Sequence, residues 1–346
     1  MIDADAAMLA LRLAWAQQPA PQADVSVLFL GAQPASEWTD AANPCWVRVQ
    51  PFKPLADALL ARGLFAQPEA TPDMRAQRVL LRAPRQRQWS RALLAQAVRA
   101  ARDGGVVLAV ACNDEGARSL QADLAALAGP LQSLSKRHAR ALWTAPLDAA
   151  KVDAATLHAW LELDAPALNR AGYVSRAGLF SSDRIDAGSA LLAEALPADL
   201  CGAVADLGAG WGYLACAALA RCPGIARIDL YEADARALVP ARENLMRLHP
   251  ERPAELHWHD VTRGLPHSYD AVLCNPPFHT GRADQPELGQ AFIDAAAAGL
   301  HARGRLWLVA NRHLPYEATL RERFAHVQAL REAHGYKVLV AEMPRA

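Results

Sequence analysis

Val204-Ala205-Asp206-Leu207-Gly208-Ala209-Gly210-Trp211-Gly212-Tyr213 decides the fold: an apolar run carrying one acidic residue, then three glycines at alternate positions. The run reads as a buried strand. Glycines at its end allow a tight strand-to-helix turn, let the backbone approach a ligand closely and aim helix N-terminal amides at it. A dinucleotide-binding loop reads GxGxxG. Here the third glycine comes one residue early, at Gly212, and Tyr213 stands where the dinucleotide pattern requires glycine. The spacing therefore favours S-adenosylmethionine over NAD, with a tight turn that binds nothing as the plain alternative. Asp206, Gly208, Gly210 and Gly212 are the candidate cofactor residues of this stretch.

Working outward, the next strand-like run, 226–231, ends in Glu232, twenty residues after Gly212. An acidic side chain at that strand end hydrogen-bonds ribose hydroxyls in doubly wound sheets. Asp234 is expected to cap the following helix instead. A third run, 254–258, leads to Asp260, placed to accept from an adenine amino group, although a carboxylate there is often only a loop residue. The fourth ends in Asn275-Pro276-Pro277-Phe278-His279. Consecutive prolines fix the backbone, so the Asn275 side chain and the Pro276 carbonyl can face one point as two acceptors. An amino group on a flat ring needs that arrangement, because its lone pair is delocalised until its hydrogens are drawn to acceptors. Phe278 is expected to stack on the base, a contact worth ~1–3 kcal/mol in nucleic-acid complexes. A strand followed by a proline turn accounts for Pro276 and Pro277 but for neither Asn275 nor Phe278. The implied reaction is in-line methyl transfer to a planar exocyclic nitrogen, with Asn275, Pro276 and Phe278 catalytic, Asn275 also counted with Glu232 and Asp260 among the cofactor-binding residues, and no metal, covalent intermediate or obligatory general base.

Two series of alternating strand-like and helix-like segments run along the chain, the pattern of doubly wound α/β domains. The first has strands at 25–30, 78–82 and 106–112 with helices at 88–102 and 115–127; the second runs from 203 to a terminal hairpin turning at His334-Gly335. Their matching order and spacing argue a duplication. Boundaries are expected at 1–150, a linker at 151–177, and a catalytic domain at 178–346. Where the first copy should carry the glycine loop it reads Phe29-Leu30-Gly31-Ala32-Gln33-Pro34, and in place of Asn-Pro-Pro-Phe it reads Arg82-Ala83-Pro84-Arg85. The first copy is thus degenerate.

The 346 residues carry no formal net charge, with 36 Lys+Arg against 36 Asp+Glu. A nucleic-acid partner must therefore be argued from local clustering. Between Met74 and Arg102 there are eight arginines and no Asp or Glu. Arg82, Arg85 and Arg87 are the candidate RNA contacts there, against the reading of a solvated helix face in an Arg-rich protein. The six cysteines have no paired CxxC spacing and read as reduced core thiols. No signal-peptide order or membrane-length apolar run is present. A cytoplasmic, monomeric protein without metal or membrane partner is the expectation.

Asn275-Pro276-Pro277-Phe278 together with Asp206-Leu207-Gly208-Ala209-Gly210 resembles the class I methyltransferases acting on exocyclic or amide nitrogens. Gly178-Leu179-Phe180, Asp186-Ala187-Gly188-Ser189, Phe278-His279, Val309-Ala310-Asn311 and Leu314-Pro315-Tyr316 narrow it: these are similar to the RsmC/RlmG group of bacterial ribosomal RNA guanine-N2 methyltransferases. The resemblance implies two tandem Rossmann-like domains, the N-terminal one without a cofactor site, and a guanine-N2 substrate in ribosomal RNA, most simply the small-subunit RNA or particle; the retained fold of the first copy and its arginine cluster make it the candidate RNA-docking domain. The group's usual ribose Asp is Glu232 here. Large-subunit RNA, an adenine in DNA or a protein glutamine are the alternative substrates; a non-enzymatic RNA-binding protein and an NAD enzyme are disfavoured by the intact second-copy motifs and the glycine spacing.

Overall fold

The computed structural model describes residues 2–19, 24–35, 45–277, 279–280, 283–284 and 286–345. The chain divides into two compact units, Met1–Ala165 and Pro166–Ala346.

In the first unit six strands, β1 (Val27–Leu30), β2 (Trp46–Val49), β3 (Ala76–Arg82), β4 (Ala101–Cys112), β5 (Leu131–Lys136) and β6 (Ala139–Thr144), lie in the order β2-β1-β3-β4-β6-β5. The strands β2, β1, β3 and β4 are parallel and the β5–β6 hairpin is antiparallel. Strand side chains alternate between faces, and the apolar runs bury both. Leu28, Leu30, Val79 and Leu81 face α3 (Arg87–Ala100) and α4 (Ala117–Ala128), while Val27, Phe29, Leu80 and Leu108 face α1 (Ile2–Ala16). A short α2 (Lys53–Leu60) follows β2, and α5 (Ala154–Leu161) packs on α3.

The second unit opens with a two-residue ladder, β7 (Ala167–Leu168) with β8 (Val174–Ser175), and then α6 (Ala187–Ala195). Its main strands are β9 (Gly202–Leu207), β10 (Ile225–Glu232), β11 (Ala254–Trp258), β12 (Tyr269–Cys274), β15 (Leu300–Asn311), β16 (Phe324–Ala333) and β17 (Tyr336–Pro344). A small ladder, β13 (His279–Thr280) with β14 (Ala283–Asp284), sits between β12 and α9 (Pro286–Gly299). The sheet order is β11-β10-β9-β12-β15-β17-β16. Helices α7 (Tyr213–Arg221) and α8 (Ala235–Leu248) with α6 cover one face; α9 and α10 (Tyr316–Arg323) cover the other. Strand order reverses between β9 and β12, so a crevice opens at their carboxyl ends, where doubly wound sheets bind ligands.

The duplication is visible in the elements. Both α3 and α9 have 14 residues and each runs directly into a 12-residue strand, β4 or β15. In the parallel pairings Leu30 faces Leu81 as Leu207 faces Cys274. Gly31 therefore corresponds to Gly208, and Arg82 to Asn275. The described first sheet is the second minus one edge strand.

The boundary between the two units falls inside the segment read as a linker, 151–177: α5 belongs with the first unit, and residues 166–177 with the second. Asn244, fully buried, accepts from the Val174 amide and donates to the Val174 carbonyl, while Arg236 donates to the Ala177 carbonyl. The cysteines are free, but Cys201 is exposed and only Cys112, Cys216, Cys222 and Cys274 are buried. No helix among the described residues is long and apolar enough to cross a membrane.

Candidate functional site

The glycine loop turns β9 into α7 with Gly208, Gly210 and Gly212 at φ 71°, 55° and 84°. These are left-handed conformations that side chains beyond glycine resist. Gly212 is the N-cap of α7. A Cβ on Gly212 would meet Ala241 at 3.3 Å, whereas one on Gly210 would meet nothing within 4 Å. Gly212 thus permits close helix packing, and Gly210 leaves room in the crevice.

A pocket at this point is lined by Gly208, Ala209, Gly210 and Trp211 from the loop, Phe180, Asp186 and Ser189 from the segment entering α6, and Asn275 after β12. The Trp211 indole donates to the Phe180 carbonyl at 3.2 Å, and Asn244 donates to the Trp211 carbonyl at 2.9 Å. The loop is therefore held at its midpoint by two groups from distant sequence.

Asp206 is not in the pocket wall. It is fully buried behind the loop, where its Oδ2 accepts from the Ala215 amide of α7 at 3.1 Å. Burial pushes its carboxyl up to about 7; the Ala215 amide opposes this and Glu232 adds to it. The native state thus holds a proton that the unfolded chain releases at about pH 4. Stability carried by that proton is complete below about pH 4 and is lost as pH rises towards 7, by at most ~1.4 kcal/mol per pH unit. Asp206→Asn should flatten this decline in denaturant titrations across the window; an unchanged slope would show that other groups cause it.

Glu232 ends β10 beside the loop. One carboxylate oxygen accepts from the Gly210 amide and the other from the Asp234 amide, both at 2.7 Å. Burial raises its pKa, against the pull of these amides. Asp234 caps α8 as expected, accepting from the Arg236 amide. Asp260 is likewise a cap: its Oδ1 accepts from the Thr262 amide and hydroxyl at 3.0 and 2.7 Å. Neither Glu232 nor Asp260 lines the pocket.

Asn275 is half-buried and Pro276 buried. The Asn275 Nδ2 donates to Asp186 Oδ2 at 3.0 Å and to Ser189 Oγ at 2.8 Å. Asp186 and Ser189 carried only a family resemblance in the sequence; nothing in their spacing pointed to Asn275, which lies 89 residues beyond Asp186. Phe278 lies outside the described residues.

In the first unit the position of Asn275 carries an ion-paired arginine. Arg82 pairs with Glu115 and donates to the Ala83 carbonyl at 2.8 Å. A Cβ on Gly31 would meet the Arg82 carbonyl at 2.8 Å. Arg87 binds Asp123 with two hydrogen bonds, at 3.0 and 2.9 Å, and Arg91 shares that carboxylate at 2.9 Å. Of the arginines named as candidate RNA contacts, Arg82 pairs with Glu115 and Arg87 with Asp123, both acids from outside the sequence window, and Arg85 is exposed with no acid partner assigned among the described residues.

Residues 171–340 match the family model of the methyltransferase small domain. The second unit is therefore similar to the methyltransferase small domain over nearly its whole length. The chain is similar to ribosomal RNA small subunit methyltransferase C of Psychromonas ingrahamii, 35% identical over 162 residues, which are 47% of this chain and 46% of the relative. It is also similar to ribosomal RNA large subunit methyltransferase G of Ectopseudomonas mendocina, 35% identical over 216 residues, 62% of this chain and 56% of the relative. The chain thus spans about half the length of the curated relatives it matches. In fold, the 16S rRNA N2 G1207 methyltransferase (RsmC) of T. thermophilus, solved with AdoMet and guanosine, aligns over 96% of this chain and 91% of its own with a TM-score of 0.79 at 24% identity. That match extends beyond the methyltransferase small domain into the first unit, as a tandem of two Rossmann-like sheets requires.

Proposed function

We propose that the chain transfers a methyl group from S-adenosylmethionine to the N2 amine of a guanosine in ribosomal RNA, the small-subunit RNA being the substrate. One observation carries the reading: the Asn275 amide is gripped through its nitrogen at the mouth of the glycine-loop crevice, which leaves its oxygen as an acceptor arm. The crevice fits the cofactor, because Gly208 and Gly210 line it and the position a Cβ would take on Gly210 is open. S-adenosylmethionine, when bound, supplies an electrophilic methyl group. The loop glycines would hold it, with Glu232 at the ribose and Asp260 at the adenine. Asn275 Oδ1 and the Pro276 carbonyl accept the two hydrogens of the target amine, and Phe278 supports the base. Holding donor and acceptor in line is the main source of rate, ~7–11 kcal/mol in the best cases. The proton released from nitrogen passes to solvent.

Relatives named for small-subunit and for large-subunit RNA both match at about a third identity, so the large-subunit RNA is the second reading. The first unit, with Arg82 at the position of Asn275, serves as the docking platform for RNA in a cytoplasmic enzyme. Incubation of ribosomal RNA from cells lacking the protein with labelled cofactor, followed by nucleoside analysis, tests the proposal. N2-methylguanosine in the 16S RNA is the expected product; N6-methyladenosine, label in protein, or no transfer would overturn it.

A further inference from the structure

We infer that Asp186 is a positioning residue for the methyl acceptor: as an acceptor-only group it fixes which end of the Asn275 amide faces the substrate. The inference rests on the reading of Asn275 as the acceptor of the amine hydrogens. An Asn side chain presents nearly identical shapes with its oxygen and nitrogen exchanged, and only its hydrogen-bond partners choose between them. Exchanged, Asn275 would turn two N–H donors towards the target amine, which is itself a donor. Something in the fold must prevent that.

The motif Asp186-Ala187-Gly188-Ser189 does so residue by residue. Asp186 is the N-cap of α6, and its Oδ2 accepts from the Ser189 amide at 2.8 Å. The same oxygen accepts from Asn275 Nδ2 at 3.0 Å. An ionised carboxylate has no proton to give, so Asn275 can satisfy it with nitrogen and never with oxygen. Ser189 Oγ, at 2.8 Å, takes the second amide hydrogen, but a hydroxyl can donate as well as accept and does not choose by itself. Gly188 lets this turn seat: a Cβ there would meet two ring carbons of Tyr336 at 2.9 Å and Asp186 Oδ2 at 3.1 Å. Capping alone does not explain the carboxylate, since Ser, Thr or Asn cap a helix about as well.

The test separates capping from orientation. Asp186→Ser keeps a good N-cap on a shorter side chain that no longer reaches Asn275, whereas in Asp186→Asn the Ser189 amide of the cap selects the side-chain oxygen for the place of Asp186 Oδ2, so an acceptor of the original length still faces Asn275 Nδ2. With ribosomal RNA from cells lacking the protein as substrate, Asp186→Ser should lower kcat about tenfold or more with little change in KM for S-adenosylmethionine or in melting temperature, and Asp186→Asn should recover most of the loss. Because Asp186 acts through Asn275, adding Asp186→Ser to Asn275→Ala should lower the rate no further. A serine variant with parental kcat, or one that costs the same factor in the Asn275→Ala background, overturns the inference while leaving the role of Asn275 standing. Full activity in Asn275→Ala alone overturns both.

Discussion

Asn275→Ala should lower methyl transfer by a factor of about 10²–10³, the usual cost of deleting one preorganised hydrogen-bonding group at a reacting centre. The substitution removes one of two acceptors on the target nitrogen and leaves the glycine loop, Glu232 and Asp206 untouched. The loss should accordingly fall on kcat, with S-adenosylmethionine affinity within a few-fold of the parent, because an interaction made with the reacting amine is not one that holds the cofactor. Asp186 and Ser189 lose the Asn275 amide as a partner. Asp186 keeps the Ser189 amide, so α6 should remain capped and the melting temperature nearly unchanged. Single-turnover kinetics with calorimetric titration of the cofactor decides the matter. A variant within a few-fold of parental activity would reduce Asn275 to a strand-end residue.

Gly210→Val should abolish cofactor binding, and the parent should bind one S-adenosylmethionine per chain. At φ 55° a β-branched residue is strained by roughly 1–2 kcal/mol. Its side chain would also project into the space that Gly210 leaves open at the pocket wall. The first unit should contribute no second site, because Arg82 occupies the position of Asn275 and is tied to Glu115. Titration calorimetry on the parent and the variant measures both claims. Two sites in the parent would mean that the first unit retains a crevice, and binding that survives Gly210→Val would place the cofactor away from this loop.

Much of this was decided along the chain. The buried run into Gly208, Gly210 and Gly212 dictates a strand, a left-handed turn and a helix, because no other short sequence satisfies those dihedral angles so cheaply. The paired series of strands and helices shows the duplication, since α3–β4 and α9–β15 repeat in length as well as in order. The terminal hairpin turns where His334-Gly335 stand, with both residues at positive φ. Such features depend on neighbours within a few residues, and local sequence is enough for them.

What the chain could not decide was which charged and polar groups would meet. An arginine-rich window without an acidic residue reads as free positive charge, yet Asp123 comes from α4 to hold Arg87 and Arg91, and Glu115 from beyond β4 to hold Arg82. Asp260 reads as a ligand from its place at a strand end, and only the fold shows that its Oδ1 also caps the turn that follows. Asn275 reads as an acceptor, but the groups that settle its orientation, Asp186 and Ser189, precede it by almost ninety residues. Hydrogen-bond and ion-pair partners are set by where packing brings two elements together, and a side chain carries no mark of a partner that distant. The sequence determined the strands, the glycine turn and the repeat, because backbone conformation and apolar burial are local or periodic properties; the tertiary structure alone decided how Asn275 is held and which acids meet Arg82, Arg87 and Arg91, because both depend on contacts the chain makes only after it has folded.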